Sequence, residues 1–135
     1  MFKVAKYLGG KGAYPDVVEI PVSSGAEFAP GQALVITGGV ATPADGDVAV
    51  AYVSCGKITA EESAIGKKLS AYKVDADIIF EAELSAYSST VAVGAALTLA
   101  GGEKVTATAA AKGGATVIDT CEASAAGDKI LVAFA

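Results

Sequence analysis

The chain has 135 residues, of which 53% are hydrophobic, and carries a net charge of −5 at pH 7. It contains ten lysines but no arginine, histidine or tryptophan. This composition disfavours nucleic-acid binding, which depends on basic surfaces and on arginine contacts to phosphate and guanine. No stretch approaches the ~18 uninterrupted apolar residues of a membrane span, and the first residues do not resemble a secretory signal.

Residues 1–16 are predicted to form an extended N-terminal arm. Lys3, Lys6 and Lys11 give the first fifteen residues a charge of +3, whereas the rest of the chain carries −8. A glycine-rich stretch at residues 9–12 indicates a hinge. Two interpretations fit this pattern: a solvated tail, or a docking arm whose charge is opposite to that of its own body.

Short alternating strands follow, and residues 17–135 are predicted to form a single β domain. Val18, Ile20 and Val22 alternate with other residues, and similar runs recur to the end of the chain. Turns that contain glycine, proline or aspartate separate these runs. Short strands at this spacing are typical of a compact β-barrel or sandwich.

One short helix is predicted within this domain. Thr59 and Glu62 have the spacing of a capping box, in which each side chain binds the backbone of the other residue. Residues 60–65 would then form at most two turns, ended by Gly66. The predicted fold class is therefore all-β, with one short helix and an extended N-terminal arm.

The β domain contains an internal repeat. Residues 31–39 match residues 94–102 at a shift of 63, with glycines at both ends of each segment. Three other blocks match in the same order at shifts of 61 to 66: Glu19 and Val22-Ser23 with Glu81 and Leu84-Ser85, Cys55 with Cys121, and residues 63–69 with residues 124–130. The repeat predicts two similar halves, about residues 17–74 and 79–135. Neither half is expected to bury its apolar face alone, so the two should share one body.

No group of residues predicts a catalytic site, a cofactor or a metal. The absence of histidine excludes Ser-His-Asp and Cys-His sites and most zinc sites. The remaining candidates are two Ser-x-x-Lys pairs and two carboxylate pairs: Ser54/Lys57, Ser70/Lys73, Glu81/Glu83 and Asp75/Asp77. On a strand, residues three apart point to opposite faces, and exposed carboxylate pairs are usually solvated. The sequence therefore predicts that the protein is not an enzyme.

Two further features have structural interpretations. Asp45-Gly46-Asp47 lacks the other oxygen ligands of a calcium loop and indicates a tight turn. Cys55 and Cys121 are predicted to be free thiols that pack as small buried residues, because two cysteines do not make a disulfide framework.

Three stretches resemble the head decoration proteins, or capsid cement proteins, of tailed bacteriophages. They are AYPDVVEIPV at residues 13–22, FAPGQAL at 28–34 and AAGDKILVAF at 125–134. The resemblance implies a compact β-barrel on the outer surface of the expanded capsid. There, such proteins bridge neighbouring major capsid protein subunits against the pressure of packaged DNA.

The resemblance also implies the partners and the place of action. The partner would be the major capsid protein, and the protein could form a homo-oligomer, with a trimer favoured. It would be made in the bacterial cytoplasm and end on the virion surface. The docking hypothesis assigns the capsid contact to the arm, which would add a strand to an exposed edge of the capsid protein. The arm residues assigned to docking are Phe2, Lys3, Val4, Lys6, Tyr7, Lys11, Tyr14 and Pro15.

Two other classes of function stay open at this point. The first is a receptor- or glycan-binding β module of a phage tail or cell surface, in which Tyr52, Tyr72 and Tyr87 would stack on sugars. Aromatic strand residues more commonly pack in or near the core. The second is an enzyme that uses the carboxylate pair Glu81/Glu83.

Overall fold

The computed structural model describes residues 1–8 and 15–134. Within these residues, eleven strands and one short helix follow the alternating pattern of the sequence. In chain order they are β1 (Lys3–Tyr7), β2 (Val17–Ile20), β3 (Ala33–Thr37), β4 (Val40–Pro43), β5 (Tyr52–Ser54), α1 (Ala60–Ala64), β6 (Leu69–Lys73), β7 (Ile78–Glu83), β8 (Ala96–Ala100), β9 (Lys104–Ala109), β10 (Ala115–Asp119) and β11 (Lys129–Ala133).

The strands form two antiparallel sheets. One has five strands in the order β2-β6-β5-β3-β4, and the other has six in the order β1-β7-β11-β10-β8-β9. Side chains on the inner face of each sheet are buried, whereas charged residues lie on the outer faces. The predicted all-β class is confirmed.

The two sheets share one topology. If β1 is set aside, each sheet places its first strand beside its fifth, followed by the fourth, second and third. The chain just after the first strand also meets the third strand in both halves. Pro21 accepts a hydrogen bond from Ala41 in β4, and Leu84 forms a bridge with Val105 in β9. Each sheet therefore curls toward closure in the same way.

The repeated glycines adopt the same backbone conformation in both halves. Gly38 and Gly39, between β3 and β4, have φ angles of 60° and 82°. Gly101 and Gly102, between β8 and β9, have φ angles of 64° and 76°. Glycine reaches this left-handed region without the steric penalty of a side chain. The repeated Gly-Gly pair therefore directs the same reversal of the chain twice.

Two hydrophobic cores lie inside the molecule. The larger is built on residues of the six-stranded sheet such as Phe80 and Leu97, and it also includes Val53 from β5. The smaller contains Leu34 and Ile58 and belongs to the first half alone. Because β5 contributes to the larger core, the two halves pack together through shared apolar contacts.

The helix forms where the sequence predicts it. Thr59 Oγ1 accepts from the N–H of Glu62 at 3.2 Å, and Glu62 Oε1 accepts from the N–H of Thr59 at 3.1 Å. This capping box pairs backbone N–H groups that would otherwise lack partners at the start of the helix. Ile65 caps the C-terminus, and Gly66 follows with a φ of 87°.

The N-terminal residues do not extend away from the body, so that prediction is wrong for residues 1–8. Lys3–Tyr7 form β1, which pairs with β7 at the edge of the six-stranded sheet. Phe2 lies in the larger core and is only 3% exposed. Residues 9–14 of the predicted arm, which include Lys11 and Tyr14, lie outside the described residues. Pro15 is described and is buried just before β2.

The cysteines are not joined, but their predicted burial is not observed. Cys55 is half-buried, and Cys121 is exposed. Cys121 lies in the turn after β10, where it and Glu122 have φ angles of 50° and 60°. The buried positions of β10 are Ala115 and Val117, so the strand places Cys121 beyond the part of the chain that contacts the core.

Candidate functional site

Hydrogen bonds hold β1 at both ends. The N–H of Phe2 donates to the carbonyl oxygen of Gly31 at 2.8 Å, and the N–H of Leu8 donates to that of Asp77 at 2.8 Å. Between these points β1 pairs with β7, and the register shifts at Ala5. Residues 2–8 are therefore held to the body along their length.

An aromatic contact anchors the start of β1. The rings of Phe2 and Phe134 pack edge to face, with centroids 5.0 Å apart and planes at 77°. Phe134 in turn packs against Phe80, with the two ring centroids 5.3 Å apart. Full burial of a phenylalanine side chain stabilises a fold by about 1.5–3 kcal/mol. Exposure of Phe2 on a free arm would forfeit this contribution, which explains why the strand is docked.

The side chains of β1 fall on two sides. Val4 and Tyr7 are half-buried and pack against the larger core, whereas Lys3 and Lys6 are exposed. Val4 and Tyr7 are three residues apart, and the bulge at Ala5 restores the alternation so that both face inward. Phe2, Val4 and Tyr7 are thus packed within the molecule. Lys3 and Lys6 are the assigned docking side chains of β1 that remain accessible.

Charges of both signs surround the exposed side of β1. Lys3 lies opposite Glu81 in the β1–β7 register. Glu83 lies 3.6 Å from Lys104 and 3.6 Å from Lys129. The positive charge of Lys104, followed by that of Lys129, lowers the pKa of the Glu83 carboxyl. Of the carboxylate pair identified in the sequence, Glu83 is therefore held in ion pairs with two lysines, and Glu81 lies opposite a third lysine in the strand register.

The sequence-based search for sites missed the outer edge of β2, which we define as the side of Val17–Ile20 that faces away from β6. Within residues 1–8 and 15–134, no backbone pairs with this edge along those four residues. A cleft of about 370 Å³ lies beside the start of β2. Its lining residues are Tyr7, Pro15, Asp16, Val18, Lys73, Val74 and Asp75. The internal repeat marks β2 and β7 as equivalent strands, but only the structure shows that the edge of β7 is covered while that of β2 is not, within the described residues.

The serines of the Ser-x-x-Lys pairs have structural partners. Ser54 Oγ donates to the carbonyl oxygen of Ala29 at 2.6 Å and accepts from the N–H of Gln32 at 2.9 Å. Ser70 Oγ donates to Glu19 Oε1 at 2.7 Å. These contacts fix a loop and pair two neighbouring strands.

The carboxylates of the predicted turn at residues 45–47 bind the backbone of the second half. Asp45 accepts from the N–H of Gly101 at 2.7 Å. Asp47 accepts from the N–H groups of Ala111 and Lys112, the latter at 2.8 Å. These hydrogen bonds lower the pKa of Asp47, and the Lys112 N–H is the larger cause. The turn therefore joins the two halves.

The three tyrosines proposed for sugar stacking lie in different environments. Tyr52 is half-buried against the smaller core, and Tyr72 is half-buried against the larger one. Tyr87 is 43% exposed. Among the described residues, these three rings do not form one exposed surface on which a sugar could stack.

The described residues hold no group of three His, Cys, Asp or Glu side chains placed to bind a metal ion. In the same part of the chain, no helix is long and apolar enough to cross a membrane. Comparison with known proteins gives no family model and no curated protein that matches this sequence.

Proposed function

We propose that the protein is a structural virion component that binds the outer surface of an expanded phage capsid. It stabilises the shell by bridging major capsid protein subunits. The observation that carries this proposal is the likeness of residues 13–22, 28–34 and 125–134 to phage head decoration proteins.

The positions of these three stretches in the fold support the proposal. The first contains β2, the second contains Gly31, and the third contains Phe134. Gly31 and Phe134 both contact Phe2. The stretches that resemble decoration proteins therefore include the residues that lock the N-terminus into the body. An N-terminal strand that is packed into the core suits a protein that must keep its shape as a clamp.

The accessible side of β1 is the proposed capsid contact. Lys3 and Lys6 are exposed there, and the first fifteen residues carry a charge of +3 on an otherwise acidic chain. A protein that binds only the expanded lattice stabilises that lattice by mass action. Association into an oligomer, with a trimer favoured, would add avidity because several contacts would form on one shell.

The test is binding to purified shells of the phage that encodes the protein, prepared without it. The protein is added to expanded and to unexpanded shells, and binding is measured by co-sedimentation and cryo-EM. We expect saturable binding to expanded shells only, together with a higher melting temperature of those shells. Equal binding to both forms, no binding, or location on tails would contradict the proposal; location on tails would favour the receptor-binding alternative.

Point variants test the contact better than truncation does, since removal of Phe2 would also disturb the core. The test variant is Lys3→Glu/Lys6→Glu. The matched control is Lys57→Glu/Lys68→Glu, which makes the same charge change at two exposed lysines outside β1. We expect the test variant to bind expanded shells about tenfold more weakly than the control does. Equal affinities would exclude β1 as the contact.

A further inference from the structure

The outer edge of β2 presents backbone groups that are available for pairing. The carbonyl oxygen of Pro21 points away from β6, because it accepts a hydrogen bond from Ala41. Along an antiparallel strand, the peptide groups of residues two apart point to the same side. The N–H and C=O groups of Glu19 and Val17 therefore also point away from β6. Val17 itself is 54% exposed.

The repeat shows what covers the equivalent edge. Glu19 matches Glu81 at a shift of 62, so β2 corresponds to the portion of β7 that pairs with β1. In that pair Lys3 lies opposite Glu81. Asp77 lies four residues before Glu81, so the peptide groups of the two residues point to the same side. The carbonyl oxygen of Asp77 accepts a hydrogen bond from the N–H of Leu8 in the added strand. One half of the molecule thus carries an added strand at the position where, among residues 1–8 and 15–134, nothing pairs with the other half.

We propose that the outer edge of β2 binds an extended segment of a partner polypeptide, with a lysine or arginine opposite Glu19 and apolar residues on either side of it. Backbone hydrogen bonds would supply much of the affinity, as they do in strand addition generally. The exposed acidic residues Asp16, Glu19 and Asp75 lie at or near this edge, and Lys73 is the one lysine among the described residues that line the adjacent cleft. This excess of negative charge favours a cationic segment.

A second copy of the chain fits the edge less well than a cationic partner does. Two β2 edges paired antiparallel would bring Asp16 and Glu19 of one copy close to the same residues of the other. Like charges on directly opposed strands destabilise the pair. The β1 strand of another copy is held in its own body by Phe2.

Charged residues on an edge strand often prevent pairing. Here the equivalent residue Glu81 lies within a formed pair, opposite Lys3. The carboxylate at this position is therefore compatible with an added strand when the added strand brings a cation. Ser70, which lies opposite Glu19 on β6, donates a hydrogen bond to one oxygen of the Glu19 carboxylate at 2.7 Å. The second carboxylate oxygen is the one left for a cation on an added strand.

The probe for the test is a synthetic peptide that copies residues 1–8, the strand that the equivalent edge binds. It is titrated into the isotope-labelled full chain, and binding is followed by NMR. We expect the amide signals of Val17 and Glu19 to shift, and a peptide carrying Lys3→Glu to bind about threefold more weakly or worse. Shifts at Ile79 and Glu81 instead would indicate exchange with β1 and would overturn the proposal. Absence of any shift at ~1 mM peptide, a concentration at which even weak binding is seen, would do the same.

Three variants of the chain, one of them a control, sharpen the result. Val17→Pro removes an outward-facing N–H at the first residue of the strand, where proline is tolerated in sheets. Glu19→Lys reverses the charge, and Glu27→Lys makes the same change at an exposed residue outside β2. We expect the first two to abolish or weaken peptide binding and the third to leave it unchanged. If Val17→Pro does not fold, Glu19→Lys still decides the matter, and equal binding by Glu19→Lys and Glu27→Lys would refute the proposal.

Analytical sedimentation of the chain without peptide tests whether a second copy of the chain occupies the outer edge of β2. Self-association that disappears in Glu19→Lys would identify a second copy at this edge and would contradict a cationic partner. These experiments involve no capsid, so their failure and the failure of the proposed function can be told apart.

Discussion

Phe2 and Phe134, which lie at opposite ends of the described chain, pack edge to face with their ring centroids 5.0 Å apart. Both side chains are buried in the larger core, at 3% and 6% exposure. The N-terminal strand is therefore a structural part of the fold. Any contact that this strand makes with another protein must use its exposed side.

Phe2→Ala should destabilise the protein strongly. Truncation of a buried phenylalanine removes its apolar contacts and leaves a cavity, and we expect the free energy of unfolding to fall by about 3 kcal/mol. Urea denaturation measures this change. Lys3→Ala is the control, since an exposed side chain of the same strand should change the stability by no more than about 0.5 kcal/mol. A loss below about 1 kcal/mol for Phe2→Ala would show that β1 is not docked in solution.

Gly31→Ala should destabilise more than Gly94→Ala does. The two glycines occupy matching positions of the repeat and have nearly equal φ angles of 84° and 87°. A Cβ on Gly31 would lie 2.8 Å from the carbonyl oxygen of Phe2, whereas a Cβ on Gly94 would meet nothing within 4 Å. Both variants bear the backbone penalty of about 1–2 kcal/mol for a left-handed alanine. Only Gly31→Ala also displaces the N-terminal strand.

The comparison of unfolding free energies isolates that displacement. We expect Gly31→Ala to lose at least about 1 kcal/mol more than Gly94→Ala, as is usual when packed atoms are forced apart. Amide exchange of β1 should also become faster in Gly31→Ala alone. Equal losses in the two variants would mean that the contact between Gly31 and Phe2 does not hold the strand.

Acid should weaken the fold partly through Asp47. The N–H groups of Lys112 and Ala111 lower the pKa of Asp47 in the folded state relative to the unfolded chain. Its stabilising contribution is therefore present above the unfolded pKa of about 3.9 and is lost as the pH falls through the lower folded pKa. We expect the urea midpoint to drop between about pH 5 and pH 2, and to drop less in Asp47→Asn.

The control for this prediction is Asp16→Asn, which removes an exposed carboxylate at the start of β2. We expect it to keep the acid dependence of the unaltered protein. If Asp47→Asn and Asp16→Asn titrate alike, the hydrogen bonds between the turn and residues 111–112 contribute nothing to the acid response.

Cys121 should react with thiol reagents before Cys55 does. Cys121 is exposed, whereas Cys55 is half-buried. Partial burial raises the pKa of both thiols, and the charge of Asp119 also raises that of Cys121. Since the thiolate is the reactive form, we expect slow labelling of Cys121 near pH 7 and faster labelling as the pH rises above about 8.5. Cys121→Ser should leave only the slower reaction, and equal rates for both cysteines would contradict the described burial.

The repeat and the helix could be read from the sequence because both depend on local chemistry. Gly38-Gly39 and Gly101-Gly102 fix the chain reversal through backbone freedom that only glycine has. Thr59 and Glu62 define a helix start by hydrogen bonds that span three residues. Such signals act within a few residues and do not depend on the rest of the fold.

The role of the N-terminal strand could not be predicted from such short-range signals. Phe2, Val4 and Tyr7 have the pattern of a strand, but a single strand does not reveal which edge it joins or whether that edge belongs to the same molecule. The residue type of Cys121 likewise predicts a buried side chain, whereas its turn lies outside the core.

The sequence by itself determined the strand-rich class, the two similar halves and the short helix, since alternation, glycine turns and capping act over a few residues. Only the tertiary structure decided that β1 covers the edge of β7 and that the equivalent edge of β2 has no partner among the described residues. The physical reason is that edge pairing joins segments more than 70 residues apart, and the core that receives Phe2 exists only after both halves have packed.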